Sequence, residues 1–266
     1  MNKNVKPKKA LGQHFLCDLS VARRIADTVD ACPDLPVLEV GPGMGVLTQF
    51  LRQKPRPLKV VEIDDESVDY LRCQWPELED NIVADDFLKM HLEHTFGGDP
   101  FVLTGNYPYN ISSQIFFKVL DYKHLIPCCT GMIQKEVAER LAGRPGSKSF
   151  GILSVLVQLW YDVEYLFTVP PSVFNPPPKV QSAVIRMTRN RRTELPCDHA
   201  LLRRIVKQAF QQRRKMLRGS LRGLLPEGHP YGTLRPEQLS VEQFIELACT
   251  VQAPRPTPPE GELTTL

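Results

Sequence analysis

Four short stretches hold residue types whose spacing could do chemistry. They are VLEVGPGMGVLTQFL with Gly41, Gly43 and Gly45, VVEID with Glu62, NIVADD with Asp85 and Asp86, and GNYPYN with Asn106, Tyr107, Pro108 and Tyr109. Glycines let the backbone turn sharply and approach a ligand with no Cβ in the way. A helix starting just beyond them favours negative charge, such as a carboxylate. Taken alone, a glycine loop is also what any tight strand-to-helix turn needs. The spacing here is GxGxG after Glu39, not the GxGxxG of dinucleotide binders. Glu62 follows about twenty residues later, where an acid can bond both hydroxyls of a ribose. Asp85-Asp86 offers a carboxylate that can accept from an adenine amino group. Either acid by itself reads equally well as an exposed turn carboxylate. Glycines and acids at three successive strand ends describe a pocket for an adenosine-containing ligand.

Those strand ends must come from a sheet. PVLEV (36–40), KVVEI (59–63), NIVAD (81–85), FVLTG (101–105) and CCTGMI (128–133) read as buried strands. Between them GVLTQFL, ESVDYLRCQW and ISSQIFFKVL have helical apolar spacing, and GILSVLVQLW reads as a buried helix before two more strands, VEYLFTV and SAVIRM. The alternation predicts an α/β fold with a mostly parallel sheet and helices on both faces. Near residue 189 the texture becomes polar and proline-broken. This predicts a first domain over 1–189, a smaller helical domain over 190–252 and a disordered proline-rich tail over 253–266.

The 266 residues carry a net charge of only +3, unevenly placed. Cysteines at 17, 32, 73, 128, 129, 197 and 249 form no CxxC pair and read as free thiols in a reducing compartment. His91 and His94 have metal-like spacing with no completing cluster, so no metal site is expected. MNKNVKPKKA has no apolar run behind it and no stretch reaches membrane-spanning length, so a cytoplasmic protein is expected.

With GNYPYN at the fourth strand end, the glycine loop and the two acids resemble the adenine-N6 branch of the S-adenosylmethionine-dependent methyltransferases, with a Rossmann-like seven-stranded sheet. On that resemblance the Asn106 side-chain oxygen and the Tyr107 backbone carbonyl accept the two hydrogens of an adenine amino group. They favour the pyramidal nitrogen of the transition state. Tyr109 stacks on the ring and Pro108 stiffens the turn. LGQHFLCD (11–18), IQKEVAERL (133–141), VPPSVFNPPPKVQSAVIRM (169–187) and AFQQRRKMLRGSL (209–221) follow in order. Together they resemble the small-subunit ribosomal RNA adenine dimethyltransferases, from about residue 8 to 250.

The resemblance implies S-adenosyl-L-methionine as cofactor, with His14, Leu16, Gly41, Gly43, Glu62, Asp86 and Asn106 around it. It implies a target of two adjacent adenosines near the 3′ end of the RNA, in the pre-30S or 30S particle. It also places Phe174 against the other face of the target base; the plainer reading of Phe174 is a core residue beside a rigid proline run. Two departures stand out: Asp85 replaces a common glycine, and Tyr107 stands where the family usually has Leu or Ile.

From 201 to 222 there is no acidic residue, and Arg203, Arg204, Lys207, Arg213, Arg214, Lys215, Arg218 and Arg222 are all basic. A solvated helix face normally mixes both signs, so RNA phosphates are the expected partners, with the lysine- and proline-rich residues 3–9 adding to them. Leu202, Ile205, Val206, Ala209 and Phe210 are expected to seat this helix on the catalytic domain. A monomer is expected. Three other readings are a large-subunit RNA adenine methyltransferase, a non-catalytic gatekeeper of subunit assembly, and a nicotinamide dehydrogenase. GxGxG and GNYPYN argue against the last.

Overall fold

The computed structural model describes Lys8 and residues 14–252. The rest of the basic N-terminus, the start of LGQHFLCD and the tail at 253–266 lie outside the described residues. The chain divides into two compact units, 1–143 with 156–191, and 144–155 with 192–266. Sequence texture predicts an unbroken first domain to 189, but residues 144–155 belong with the second unit. There Gly146 donates its N–H to the Glu237 carbonyl at 2.6 Å and the Ser147 carbonyl accepts from Arg213 at 3.2 Å. Ties across that much sequence leave no local signal.

In chain order, β1 (Phe15–Leu16) leads to α1 (Leu19–Asp27), capped by Asp18. Then come β2 (Val37–Val40), α2 (Thr48–Leu51), β3 (Leu58–Glu62), α3 (Asp65–Gln74) and β4 (Ile82–Ala84). β5 (Val102–Thr104), α4 (Ser112–Asp121), β6 (Cys128–Gln134), α5 (Lys135–Leu141) and α6 (Ile152–Gln158) follow, then β7 (Tyr161–Val169), β8 (Phe174–Asn175) and β9 (Ser182–Arg189). The first unit is built on a seven-stranded sheet of order β4-β3-β2-β5-β6-β9-β7, and β1 pairs with β8 in a separate two-stranded ribbon. Pairs among β4, β3, β2, β5 and β6 are parallel, while β9 runs antiparallel to β6 and β7. β9 alone is reversed, which matches the mostly parallel Rossmann-like sheet expected. Parallel strands are covered on both faces and therefore read as unbroken apolar runs. β3 and β4 lie to one side of β2, and β5 and β6 to the other. At such a reversal the loops part and open a crevice at the carboxyl ends of the strands.

The end of β5 is packed unusually close. A Cβ on Gly131 of β6 would stand 2.4 Å from the Gly105 carbonyl oxygen and 2.8 Å from the Tyr107 ring, at a φ of +141°. Tyr107 lies over this notch, 1% exposed. Its hydroxyl donates to the Thr130 carbonyl at 2.8 Å and meets the Cys129 sulfur at 3.3 Å. Burial pushes the Cys129 thiol up to about 12, so it stays protonated.

The expectation of free thiols throughout is corrected at two positions. Cys32 and Cys128 are disulfide-bonded, 96 residues apart, while Cys17, Cys73, Cys129, Cys197 and Cys249 are free. Both bonded residues are buried in the core that α1 and the start of β6 share. Their Cα atoms lie 5.8 Å apart, a proximity that spacing in sequence cannot show.

In the second unit the basic run 201–222 is not one helix. α7 (His199–Gln211) ends, and α8 (Leu217–Ser220) starts a new direction before α9 (Val241–Gln252). The Leu217 and Arg218 amides donate to the Leu234 and Gly232 carbonyls at 2.8 and 2.9 Å, a cross-bonding that a continuing helix would forbid. Leu202, Ile205, Val206 and Ala209 are buried. Phe210 meets Phe150 and Phe244 of its own unit, with ring centroids 6.2 and 5.8 Å away. Among the described residues no helix is long and apolar enough to cross a membrane.

Gly131→Ala should lower the unfolding free energy by on the order of 3 kcal/mol, since it adds backbone strain and an overlap with Tyr107. Denaturant midpoints of the two proteins check this.

Candidate active site

Loops at the carboxyl ends of β2, β3, β4 and β5, with β1 and β8, enclose a cavity of about 730 Å³. The structure brings His14, Leu16, Gly41, Gly43, Glu62, Asp86, Asn106, Tyr107, Pro108 and Tyr109 to its wall. Phe174 is not there: it is 4% exposed and packed in the core beside Leu16, its register partner across the ribbon. Its ring would have to leave that packing to reach a ligand. The residue of β8 that lines the cavity is Asn175, which sits inside the quoted FNPPPKV but beside a more conspicuous aromatic.

The glycine loop follows from three left-handed residues, Gly41, Gly43 and Gly45 at φ +66°, +55° and +73°. At Gly45 a Cβ would stand 2.1 Å from the Trp75 ring. The loop is tied to β3 through Glu62, whose Oε2 accepts from Gly43 N at 2.9 Å and whose Oε1 accepts from Ile63 and Asp64 N at 3.0 Å each. A carboxylate has about four acceptor sites, so three backbone bonds leave room for a hydroxyl. Burial nonetheless pushes the Glu62 carboxyl above its ordinary range, against the pull of those amides. Ile63, half exposed beside it, also lines the cavity.

Glu39 is a functional candidate that the motif reading noted only as a flank. It is 1% exposed, lines the cavity and accepts from the Thr48 hydroxyl at 2.7 Å. Burial first, opposed by Thr48 and reinforced by the Glu62 charge, raises its carboxyl to about 8. Asp64, equally unremarked, is buried and pairs with Lys8, which also meets Glu66 at 3.2 Å.

On the β4 side Asp85 is exposed and Asp86 half-buried. The Asp86 Oδ1 accepts from Leu88 N at 2.9 Å and its Oδ2 stands 3.3 Å from the Lys89 ammonium. On the β5 side Tyr107 N donates to the Met132 carbonyl at 2.9 Å. Asn106 Nδ2 donates to the His14 carbonyl at 3.5 Å, which turns its Oδ1 the other way. The Tyr109 hydroxyl is bonded to Ser182 Oγ, and the His14 ring stacks on Tyr109 at 5.6 Å while its Nδ1 meets the Pro176 carbonyl at 2.9 Å. The Tyr107 side chain therefore serves the core, although the residue also borders the cavity.

Of the eight basic residues singled out between 203 and 222, Arg204, Lys207, Arg214, Lys215, Arg218 and Arg222 are exposed. Arg203 and Arg213 are half-buried, and Arg213 pairs with Glu237 at 3.4 Å.

The cavity size suits a small organic ligand. Glu62 with a spare acceptor site, apolar Ile63 and a loop that bares its backbone at Gly41 and Gly43 fit a ribose, a ring and a close-lying chain, as S-adenosylmethionine would present. The buried acids set a pH dependence in the ligand-free protein. The Glu39 carboxyl keeps its proton in the folded state up to about 8, whereas the unfolded chain ionises near the ordinary value. The folded state therefore holds more protons in that window, so stability is full at acid pH and declines as pH rises to about 8. Urea unfolding should show this decline, and Glu39→Gln should flatten it by on the order of a few kcal/mol.

The sequence profile of the family described as "Ribosomal RNA adenine dimethylase" matches residues 4–242. The chain is 69% identical over 254 residues to the "Ribosomal RNA small subunit methyltransferase A" of Phocaeicola vulgatus, covering 94% of this chain and 91% of that one. Among solved structures, the 23S rRNA methyltransferase ErmE is 30% identical with a TM-score of 0.67, covering 88% of this chain and 99% of its own. A dimethyladenosine transferase from Plasmodium falciparum shares the fold at a TM-score of 0.72 and 23% identity, covering 88% of this chain and 96% of its own. With its class I methyltransferase sheet and S-adenosylmethionine as methyl donor, the chain belongs to the ribosomal RNA adenine dimethylase family.

Proposed function

We propose that this chain dimethylates the N6 atoms of two adjacent adenosines near the 3′ end of small-subunit ribosomal RNA, as a cytoplasmic monomer acting on the pre-30S or 30S particle. The observation that carries this reading is that Glu62, Asp86 and the Asn106–Tyr109 turn line one cavity. The small-subunit target is favoured by the name of the relative at 69% identity.

The chemistry follows from the weakness of the nucleophile. The adenine amino lone pair is delocalised into the ring. The Asn106 side-chain oxygen and the Tyr107 carbonyl accept its hydrogens and favour the pyramidal nitrogen. Tyr109, held by Ser182, offers the ring face that His14 leaves uncovered. Bound S-adenosylmethionine supplies an already activated methyl, so alignment is the main task left to the protein. Glu62 takes the ribose hydroxyls and Asp86, half-buried where Asp85 is exposed, takes the cofactor's amino group. The six exposed basic residues between 204 and 222 meet RNA phosphates, while Arg213 holds its own unit together. Drawing the target base out of its stack costs roughly a few kcal/mol, and RNA shape sets which base arrives.

A large-subunit target is the second reading, favoured by the 30% identical 23S rRNA methyltransferase and opposed by FNPPPKV and AFQQRRKMLRG. Labelled S-adenosylmethionine and unmodified small subunits should yield dimethyladenosine at two neighbouring nucleotides. Label in large-subunit RNA alone would reject the proposal. Asn106→Ala should lower kcat about 100- to 1,000-fold and leave particle binding intact. If cells lacking the protein fail to mature subunits and that variant restores maturation without methylation, the non-catalytic gatekeeper reading is favoured instead.

A further inference from the structure

α4 grows directly out of the Asn106–Tyr109 turn and carries a lysine on its inner side. Lys118 is 9% exposed, although lysines are almost never buried without partners. Its Nζ donates to the Leu88 carbonyl at 3.1 Å and to the Met90 carbonyl at 2.5 Å. The same ammonium stands 5.5 Å from the Phe87 ring centroid and 5.4 Å from that of Tyr122, close enough for cation–π attraction. Burial pulls its pKa down, and the surrounding carboxylates, Asp86 first among them, pull it back up.

The two carbonyls belong to the turn that begins at Asp86. The Lys89 and Met90 amides donate back to the Asp86 carbonyl at 2.8 and 3.0 Å, and Leu88 N caps the Asp86 side chain at 2.9 Å. One end of the turn is thus closed on Asp86 and the other is clamped from α4. β4 is only Ile82–Ala84, so the sheet itself holds this turn by a short strand at the sheet edge. We infer that Lys118 is a positioning residue for the adenine site, fixing the 86–90 turn so that the Asp86 carboxylate meets the amino group of the cofactor's adenine. The inference rests on the reading of Asp86 proposed above. A buried ammonium suits the task because two charge-assisted bonds from one atom set both the distance and the direction of the turn.

The test compares dissociation constants for S-adenosylhomocysteine and S-inosylhomocysteine, which carries an oxygen where adenine has its amino group. A carboxylate facing that oxygen loses a hydrogen bond and meets a like partial charge. Wild type should prefer the adenosyl ligand. Lys118→Met should shrink that preference at least tenfold by weakening the adenosyl ligand alone, and Lys118→Arg should restore most of it. A stem that merely stabilises the fold would weaken both ligands alike, and that result, or an unchanged preference, overturns the inference. Should Lys118→Met not fold, Lys118→Gln keeps one donor and is read by the same ratio. A wild type that binds both ligands equally would instead overturn the Asp86 reading, and the role of Lys118 with it.

Discussion

The site depends on how the chain leaving β5 is fastened to β6. Tyr107 N donates to the Met132 carbonyl and Met132 N to the Gly105 carbonyl, both at 2.9 Å, while the Tyr107 phenol reaches the Thr130 carbonyl across Gly131. Gly105 is pressed as closely on the other side, where a Cβ would stand 2.5 Å from the Val40 carbonyl oxygen. Backbones this near, with two polar groups satisfied by main chain in a dry core, allow one arrangement and not a family of them. Asn106, Pro108 and Tyr109 inherit that rigidity, because each is one or two residues from an atom the core has fixed. Rigid placement is what a reaction with a poor nucleophile and an activated donor requires, since alignment supplies most of the catalysis.

The same reversal of strand order that opens the cavity also buries its acids. Glu39 and Glu62 stand at the carboxyl ends of neighbouring parallel strands, and both are almost fully covered. A buried carboxyl raises its pKa unless amides or cations compensate. Glu62 has three amides and is still raised; Glu39 has one hydroxyl and rises to about 8. The protein thus holds unfavourable buried acids where a polar ligand would satisfy them, a local loss of stability of the kind expected at functional sites.

Much of the architecture was legible because its causes are local. Each parallel strand is covered on both faces, so PVLEV, KVVEI and FVLTG announce themselves as apolar runs, and the glycines and acids that follow mark strand ends. The motif residues meet for the same reason: Gly41, Glu62, Asp86 and Asn106 each lie at a strand end or within two residues past it, and strand ends in this topology meet. What stayed hidden depends on partners far along the chain. Only Phe174 stands out in the sequence, yet the β1–β8 pairing sends its ring to the core and leaves its unremarked neighbour Asn175 at the cavity. Cys32 and Cys128 become neighbours only when α1 packs near β6.

The sequence by itself determined the fold class and an adenosine-type pocket, which are written in hydrophobic period and in residue types at strand ends, while the methyl donor and the family came from the resemblance of its ordered motifs to a known family. It also raised the question of Tyr107 without the means to answer it. Only the tertiary structure decided that the Tyr107 side chain belongs to the core, that Arg213 turns inward to Glu237 while its neighbours face solvent, and that Lys118 clamps a turn 28 residues away. The physical reason is common to all three. A side chain's environment is set by what the fold brings against it, and a long polar side chain reads the same in sequence whether it ends in water, in an ion pair or on a buried carbonyl.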